Sequence, residues 1–247
     1  MDCETFDWKK GSDYPYASRP IISSWDVATM LSRQENPFER KLRMLRQLSL
    51  CCSACTCCEL GRKDVERDGM IRDPHVLSNM NPTRFMIVGQ GPGWDEITKG
   101  TPFIGQSGKN FDKELAKYGL SRNDFYISNA VRCFIEGNAK PNQNHLSKCR
   151  PFLEIEINLI HPHFIITLGA TPFEVFCPDL NYSESLGSLH YSKAFNIKVF
   201  AVYHPSPLNL IDTVRRVDFE RQMKLACGVV NRIKQSQPTG VFSKDDI

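Results

Sequence analysis

Four short apolar runs constrain this chain more than any other feature: Phe85-Met86-Ile87-Val88, Phe125-Tyr126-Ile127, Phe164-Ile165-Ile166-Thr167 and Val199-Phe200-Ala201-Val202. Runs that are apolar at nearly every position, and not at every second one, describe strands covered on both faces, as in parallel sheets. Between them the apolar residues recur at helical spacing, at about 108–118, 143–160, 170–177 and 212–234. Such alternation predicts an α/β fold in three layers (αβα), with helices on both faces of a central, mostly parallel four-stranded sheet. Ligands of open sheets of this kind bind beyond the carboxyl ends of the strands. Here those ends carry Gly89–Gly93, Asn129, Gly169 and His204–Leu208.

The 247 residues suffice for one such domain with appendages. Residues 1–37 lack a sustained period and read as an N-terminal extension, 38–235 as the domain, and 236–247 as a flexible tail. From Pro37, residues Phe38, Leu42, Leu45 and Leu48 recur at helical spacing, with Arg40, Lys41, Arg43 and Arg46 on other faces. Turn formers at Asp68-Gly69, Asp73-Pro74 and Asn81-Pro82 predict a long excursion before the first central strand. The net charge of +3 permits nucleic-acid binding without demanding it. No stretch approaches the length of a membrane span and the N-terminus lacks a secretion signal, so the expectation is a cytoplasmic or nucleoid-associated monomer, neither secreted nor membrane-bound.

Five of the ten cysteines fall within Cys51–Cys58. Disulfides are disfavoured in a reducing compartment, which makes a metal or iron–sulfur site the leading reading. Four thiolates hold a [4Fe–4S] cluster or a tetrahedral zinc, and a Cys-x-x-Cys pair lets one turn supply two. Cys52/Cys55 and Cys55/Cys58 both have that spacing, and Cys133 and Cys149 follow later in the chain. Cys3, Cys177 and Cys227 stand alone and read as packing residues.

Gly89-Gln90-Gly91-Pro92-Gly93 turns sharply out of the first strand, and three glycines give a flat or anionic ligand access to backbone. Further on come Pro102-Phe103-Ile104-Gly105-Gln106-Ser107-Gly108, Tyr126-Ile127-Ser128-Asn129 and His204-Pro205-Ser206. Together these segments resemble the uracil-DNA glycosylase superfamily. The specific likeness is to its iron–sulfur branch, the family 4 enzymes, whose pattern is a G-E-x-P-G turn, P-F-x-G-x-x-G, Y-x-x-N, a late cysteine pair and H-P-S. The match runs from about Cys55 to about Ile233.

The resemblance implies that the protein acts on DNA, flipping a pyrimidine out of the stack and hydrolysing its N-glycosidic bond in base-excision repair. It also chooses between the cysteine pairs, because the family's first pair is followed by x-Leu, as in Cys55-Thr56-Cys57-Cys58-Glu59-Leu60. The implied [4Fe–4S] ligands are thus Cys55, Cys58, Cys133 and Cys149. Phe103 would stack on the base and Asn129 would read its edge. Gly89, Gly91, Pro92 and Gly93 would line the pocket, and His204 would hydrogen-bond the carbonyl on which negative charge grows. Ser206 would hold a DNA phosphate and Leu208 would wedge into the base stack. The family's helical insertion matches Pro207–Arg221, so Arg215, Arg216 and Arg221 would contact the DNA backbone.

One position departs from the family. Its water-activating Glu is here Gln90, and the Asp that family 1 enzymes carry at the next position is here Gly91, so both carboxylate slots are empty. Gly93 also lacks the bulky side chain by which family 1 excludes a 5-methyl group, which leaves room for a base larger than uracil. Slow excision, with Gln90 in the catalytic slot, is the first expectation. A weak or inactive DNA- or base-binding protein of the same fold is the alternative. An electron-transfer iron–sulfur protein would leave Phe103, Asn129 and His204 unexplained.

Overall fold

Adjacent residues along a strand point to opposite faces, and the core follows that rule. The computed structural model describes residues 36–62 and 64–236. The extension before residue 36 and the tail beyond residue 236 lie outside the described residues. Its elements are α1 (Pro37–Ser53), β1 (Val65–Arg67), β2 (Met70–Arg72), β3 (Phe85–Gly89), α2 (Trp94–Lys99), α3 (Gln106–Ala116), β4 (Tyr126–Asn129) and α4 (Gln143–Ile160). They continue with β5 (Phe164–Leu168), α5 (Ala170–Phe176), α6 (Tyr182–Ser185), β6 (Leu189–Ser192), β7 (Ile197–Val202), α7 (Pro207–Ile211) and α8 (Thr213–Ser236).

Phe85, Ile87, Ile127, Ile166, Leu168 and Phe200 pack beneath α3 and α8 through Phe111, Leu115, Phe219, Met223 and Val230. Their neighbours Met86, Val88, Tyr126, Ile165, Val199 and Ala201 face α1, α4 and α5 through Leu45, Leu153, Ile157, Phe173 and Phe176. Every residue of β3, β4 and β5 is buried, the polar Ser128, Asn129 and Thr167 included, as strands covered on both faces require.

The sheet has order β4-β3-β5-β7-β6. β3 runs parallel to β4 and β5, and β7 runs parallel to β5. The expected four strands are all present, and β6 adds a fifth, antiparallel at the edge beside β7. Edge position explains why β6 left no mark as an apolar run: Leu189 and Tyr191 face outward, 50% and 55% exposed. Because β4 and β5 lie on either side of β3, the chain reverses direction of travel across the sheet there, and a crevice opens beyond the strand ends.

The excursion before β3 contains an antiparallel hairpin of β1 and β2. Its two turn residues, Asp68 and Gly69, both have positive φ (51° and 70°), as a two-residue hairpin turn of the mirror-image kind requires. α1 begins at Pro37, the last residue assigned to the extension, and is capped by Asn36 and Glu39 in a reciprocal capping box.

Candidate functional site

A cleft of about 1030 Å³ occupies the carboxyl ends of the parallel strands. Gln90, Gly91, Pro92, Gly93, Phe103, Asn129, His204, Ser206 and Leu208 all line it. Gly89 lies just beneath: a Cβ there would stand 2.6 Å from Asn129 Oδ1, so only glycine lets β3 end against that side chain. Arg215, Arg216 and Arg221 are exposed on α8 and are not part of the lining.

Asn129, the last residue of β4, is 2% exposed, and its Nδ2 is buried without a hydrogen-bond partner. A buried amide donor left unmade costs about 1–3 kcal/mol, so its place in a cleft marks it as a donor waiting for a ligand. Phe103 is mostly buried and meets Phe111 and His204 edge to face, at 5.6 and 6.0 Å between ring centroids. Its φ of 59° is unusual for a non-glycine residue, and Arg122 Nη2 pins that conformation by donating to the Phe103 carbonyl at 2.6 Å.

His204 follows β7, and its backbone carbonyl accepts from Asn209 Nδ2 at 2.9 Å. Burial pushes the imidazole pKa down to about 4, against a smaller upward pull from Glu96. The ring is therefore neutral at physiological pH and donates from one nitrogen only. Ser206 caps α7, its Oγ accepting from Asn209 N. Leu208, on the first turn of α7, is 82% exposed at the rim.

Gln90 does not hang free. Its Oε1 accepts from Thr171 Oγ1 at 2.8 Å, and its Nε2 donates to the carbonyls of Ala139 at 3.2 Å and Asn138 at 3.4 Å. The amide thus ties the turn after β3 to the start of α5 and to the loop after β4. At Gly91 a Cβ would lie 2.8 Å from Val131 Cγ2, so packing closes that slot to a side chain. Of the acids in this loop, Glu96 accepts three backbone N–H groups, from Gly93, Ile104 and Gly105, at 2.7–2.9 Å. Its task is to fold the two glycine-rich segments together. Thr171 and this task of Glu96 escape a reading of the motifs; a Glu three residues into a helix that follows Gly93 was the available signal.

The cysteines gather away from the cleft lining except for Cys133, which reaches it. Cys55 and Cys58 lie in the loop after α1, Cys133 beyond β4 and Cys149 inside α4. Burial raises the thiol pKa of Cys133, and Cys149, Cys52, Cys58 and Cys55 raise it further as close neighbours. Cys149 is raised likewise, with Cys58 and Cys55 contributing, while the backbone N–H and the charge of Arg132 oppose the shift. Cys177 and Cys227 are buried elsewhere, in the packing role expected of them.

No group of three or more His, Cys, Asp or Glu side chains among the described residues is arranged to hold a single metal ion. A [4Fe–4S] cubane makes a different demand, since each thiolate binds its own iron and the four sulfurs need not converge on one point. Four thiols from three separate segments, three of them buried and Cys55 half-buried, near a buried guanidinium with two unpartnered nitrogens, fit such a group.

Residues 77–224 match the family model of the uracil DNA glycosylase superfamily. Over 140 residues the chain is 34% identical to a type-4 uracil-DNA glycosylase of Saccharolobus solfataricus, an alignment covering 53% of this chain and 65% of that protein. A type-4 uracil-DNA glycosylase of Archaeoglobus fulgidus is 34% identical over 146 residues, with 56% and 73% covered. A type-5 uracil-DNA glycosylase of Pyrobaculum aerophilum is 27% identical over 145 residues, with 51% and 63% covered. The alignments thus span 63 to 73% of the length of these relatives, and less than two thirds of the Saccharolobus solfataricus protein.

Proposed function

The chain belongs to the uracil DNA glycosylase superfamily, and from that premise we propose that it excises uracil, or a modified pyrimidine, from DNA. The observation that carries the reading is the buried, unpartnered Nδ2 of Asn129 at the floor of the cleft. A donor in that position matches a pyrimidine ring carbonyl, which a base presents only after leaving the stack. The Phe103 ring beside it supplies an apolar face for the same ring.

In the excision reaction the N-glycosidic bond breaks, the base departs as an anion, water adds to the sugar carbon and loses a proton to solvent, and the released base takes up a proton in turn. Neutral His204 donates to the oxygen on which the negative charge collects, the contribution expected of a preorganised donor in a dry site. Ser206 and the exposed Leu208 stand at the rim to meet the DNA backbone and the gap in the base stack. The four cysteines Cys55, Cys58, Cys133 and Cys149 hold a [4Fe–4S] cluster. It is a structural group, because no step of the hydrolysis transfers an electron.

A second reading is favoured by one specific observation. Gln90 occupies the slot of the usual carboxylate, and its amide is committed to Thr171, Ala139 and Asn138. A protein of this fold that holds a flipped base without cleaving it would need nothing more. Oligonucleotides carrying uracil, hydroxymethyluracil or thymine, single-stranded and duplex, scored for abasic sites, separate the two. Slow release of uracil by the wild type, lost in Asn129→Leu while DNA affinity persists, is the expected result. Tight binding with no abasic sites from any base hands the protein to the second reading.

A further inference from the structure

Arg132 is the largest fully buried side chain of the described residues, at 1% exposure. One arm of its guanidinium is accounted for: Nη2 donates to Glu156 Oε2 at 2.6 Å. The Glu156 carboxylate is itself filled, since Ser128 Oγ bonds both oxygens at 2.8 and 3.0 Å and Tyr126 OH bonds Oε1 at 3.0 Å. The other two nitrogens, Nε and Nη1, are buried and have no partner. A charged group rarely keeps two donors unmade in an interior, because no water is there to take them. What lies near is sulfur. The Arg132 charge bears on the thiols of Cys52 and Cys149, its backbone N–H on Cys149, and Cys133 is the next residue along the chain.

We propose that Arg132 donates its Nε and Nη1 hydrogens to the sulfurs of the iron–sulfur cluster and, as the positive end of its buried pair with Glu156, raises the cluster's reduction potential. The proposal rests on the cluster reading above. A cubane with four thiolates is net negative and becomes more so when it accepts an electron, so a fixed positive charge beside it favours the reduced form. Hydrogen bonds to its sulfurs act in the same direction. Glu156 holds the fork in register, with one arm bound and the other two nitrogens left for a group that enters among the neighbouring thiols. A purely structural ion pair with Glu156 would account for Nη2 and leave Nε and Nη1 unexplained.

The test uses the anaerobically purified full chain. Arg132→Lys keeps a charge for Glu156 but lacks the fork, while the double variant Arg132→Met/Glu156→Gln removes both buried charges together, so that neither is stranded. The readouts are the reduction potential by spectroelectrochemistry and the coupling of exchangeable protons to the reduced cluster, by pulsed electron paramagnetic resonance in H₂O and D₂O. The expected result is loss of the strongest exchangeable-proton coupling in both variants and a shift to lower potential. At fixed poise the ratio of reduced to oxidised cluster should fall roughly tenfold, which corresponds to about 59 mV for a one-electron couple. Unchanged coupling and potential in the double variant, with iron and sulfide retained, overturn the role of Arg132 alone. Wild-type protein without iron and sulfide overturns the cluster and this proposal together.

Discussion

Burial holds the His204 imidazole neutral down to a pKa of about 4, and Gln90 carries an amide that does not titrate, so neither residue changes charge between pH 5 and 8. Single-turnover cleavage of uracil-containing DNA should accordingly be slow and flat over that range. The same shift makes a statement about stability. Unfolded histidine takes up a proton near 6.5 and folded His204 only near 4, so its stabilising effect is complete above about 6.5 and is lost as the pH falls toward 4. In Gln90→Glu one oxygen keeps the Thr171 hydroxyl while the other would oppose the carbonyls of Ala139 and Asn138. Those carbonyl dipoles disfavour the charged form, so the new carboxylate titrates above the ordinary range of about 4.3. The variant should gain an acid limb that the wild type lacks, and a rate on the order of 10²-fold higher on its alkaline side, the low end of general-base assistance. A rate that stays flat and unchanged in the variant would show that the slot takes no part in activating water. The empty carboxylate slot was legible from the motif alone. The clamp that fills it was not, because its partners lie 48 to 81 residues away along the chain.

At the scale of elements, α7 and the start of α8 expose an unusual amount of apolar surface: Leu208, Ile211, Val214 and Val217 are 82, 83, 72 and 56% exposed. Arg215 and Arg216 stand among them, Arg215 Nη1 donating weakly to Asn209 at 3.4 Å. Arg221 is drawn to Asp218 on the same helix, also at 3.4 Å. An apolar knuckle flanked by cations suits a nucleic-acid duplex opened at one step, with the wedge in the gap and the guanidinium groups on the phosphates on either side. The Arg215→Ala/Arg216→Ala variant should therefore flatten the slope of log affinity against log salt by up to about two, measured by fluorescence anisotropy with duplex DNA. An unaltered slope would place this face in plain solvent. The parallel strands and most helices were readable because both of their faces are buried, which writes long apolar runs and sustained periods. β6 and the β1–β2 hairpin were not, since they are short and half exposed; Leu189-His190-Tyr191-Ser192 alternates as a strand does, but over four residues only and with its apolar side chains facing outward.

Across the whole molecule, the cysteine pocket joins parts that the sheet alone does not hold together. Cys55 and Cys58 follow α1, Cys133 follows β4, and Cys149 belongs to α4, so a group bound by all four fastens one outer layer to the strand that carries Asn129. The loop between them is already shaped for close approach. His75 Nε2 lies 3.0 Å from the Cys55 carbonyl, and His145 Nε2 meets Glu59 at 2.6 Å, one residue beyond Cys58. Cys52 is the contrasting case. It is 1% exposed, four residues after Leu48 on α1, and packs with Leu48, Leu77 and Phe152, with Cys55 against the same cluster. The sequence left Cys52/Cys55 and Cys55/Cys58 equal in spacing, and only the resemblance chose between them; Cys52 lies close enough to Cys133 and Cys149 that the choice needs the variants below. Cys149→Ala should lose the brown colour together with iron and sulfide, and should unfold at a lower temperature because the clasp between α1, α4 and β4 is gone. Cys52→Ala removes one buried atom from an apolar cluster, should cost about 1 kcal/mol, and should keep its iron. Metal and sulfide analysis alongside thermal unfolding of both variants decides the matter. Iron lost from Cys52→Ala and kept in Cys149→Ala would reverse the assignment, and stoichiometric zinc without iron in the wild type would replace the cluster with a different kind of clasp.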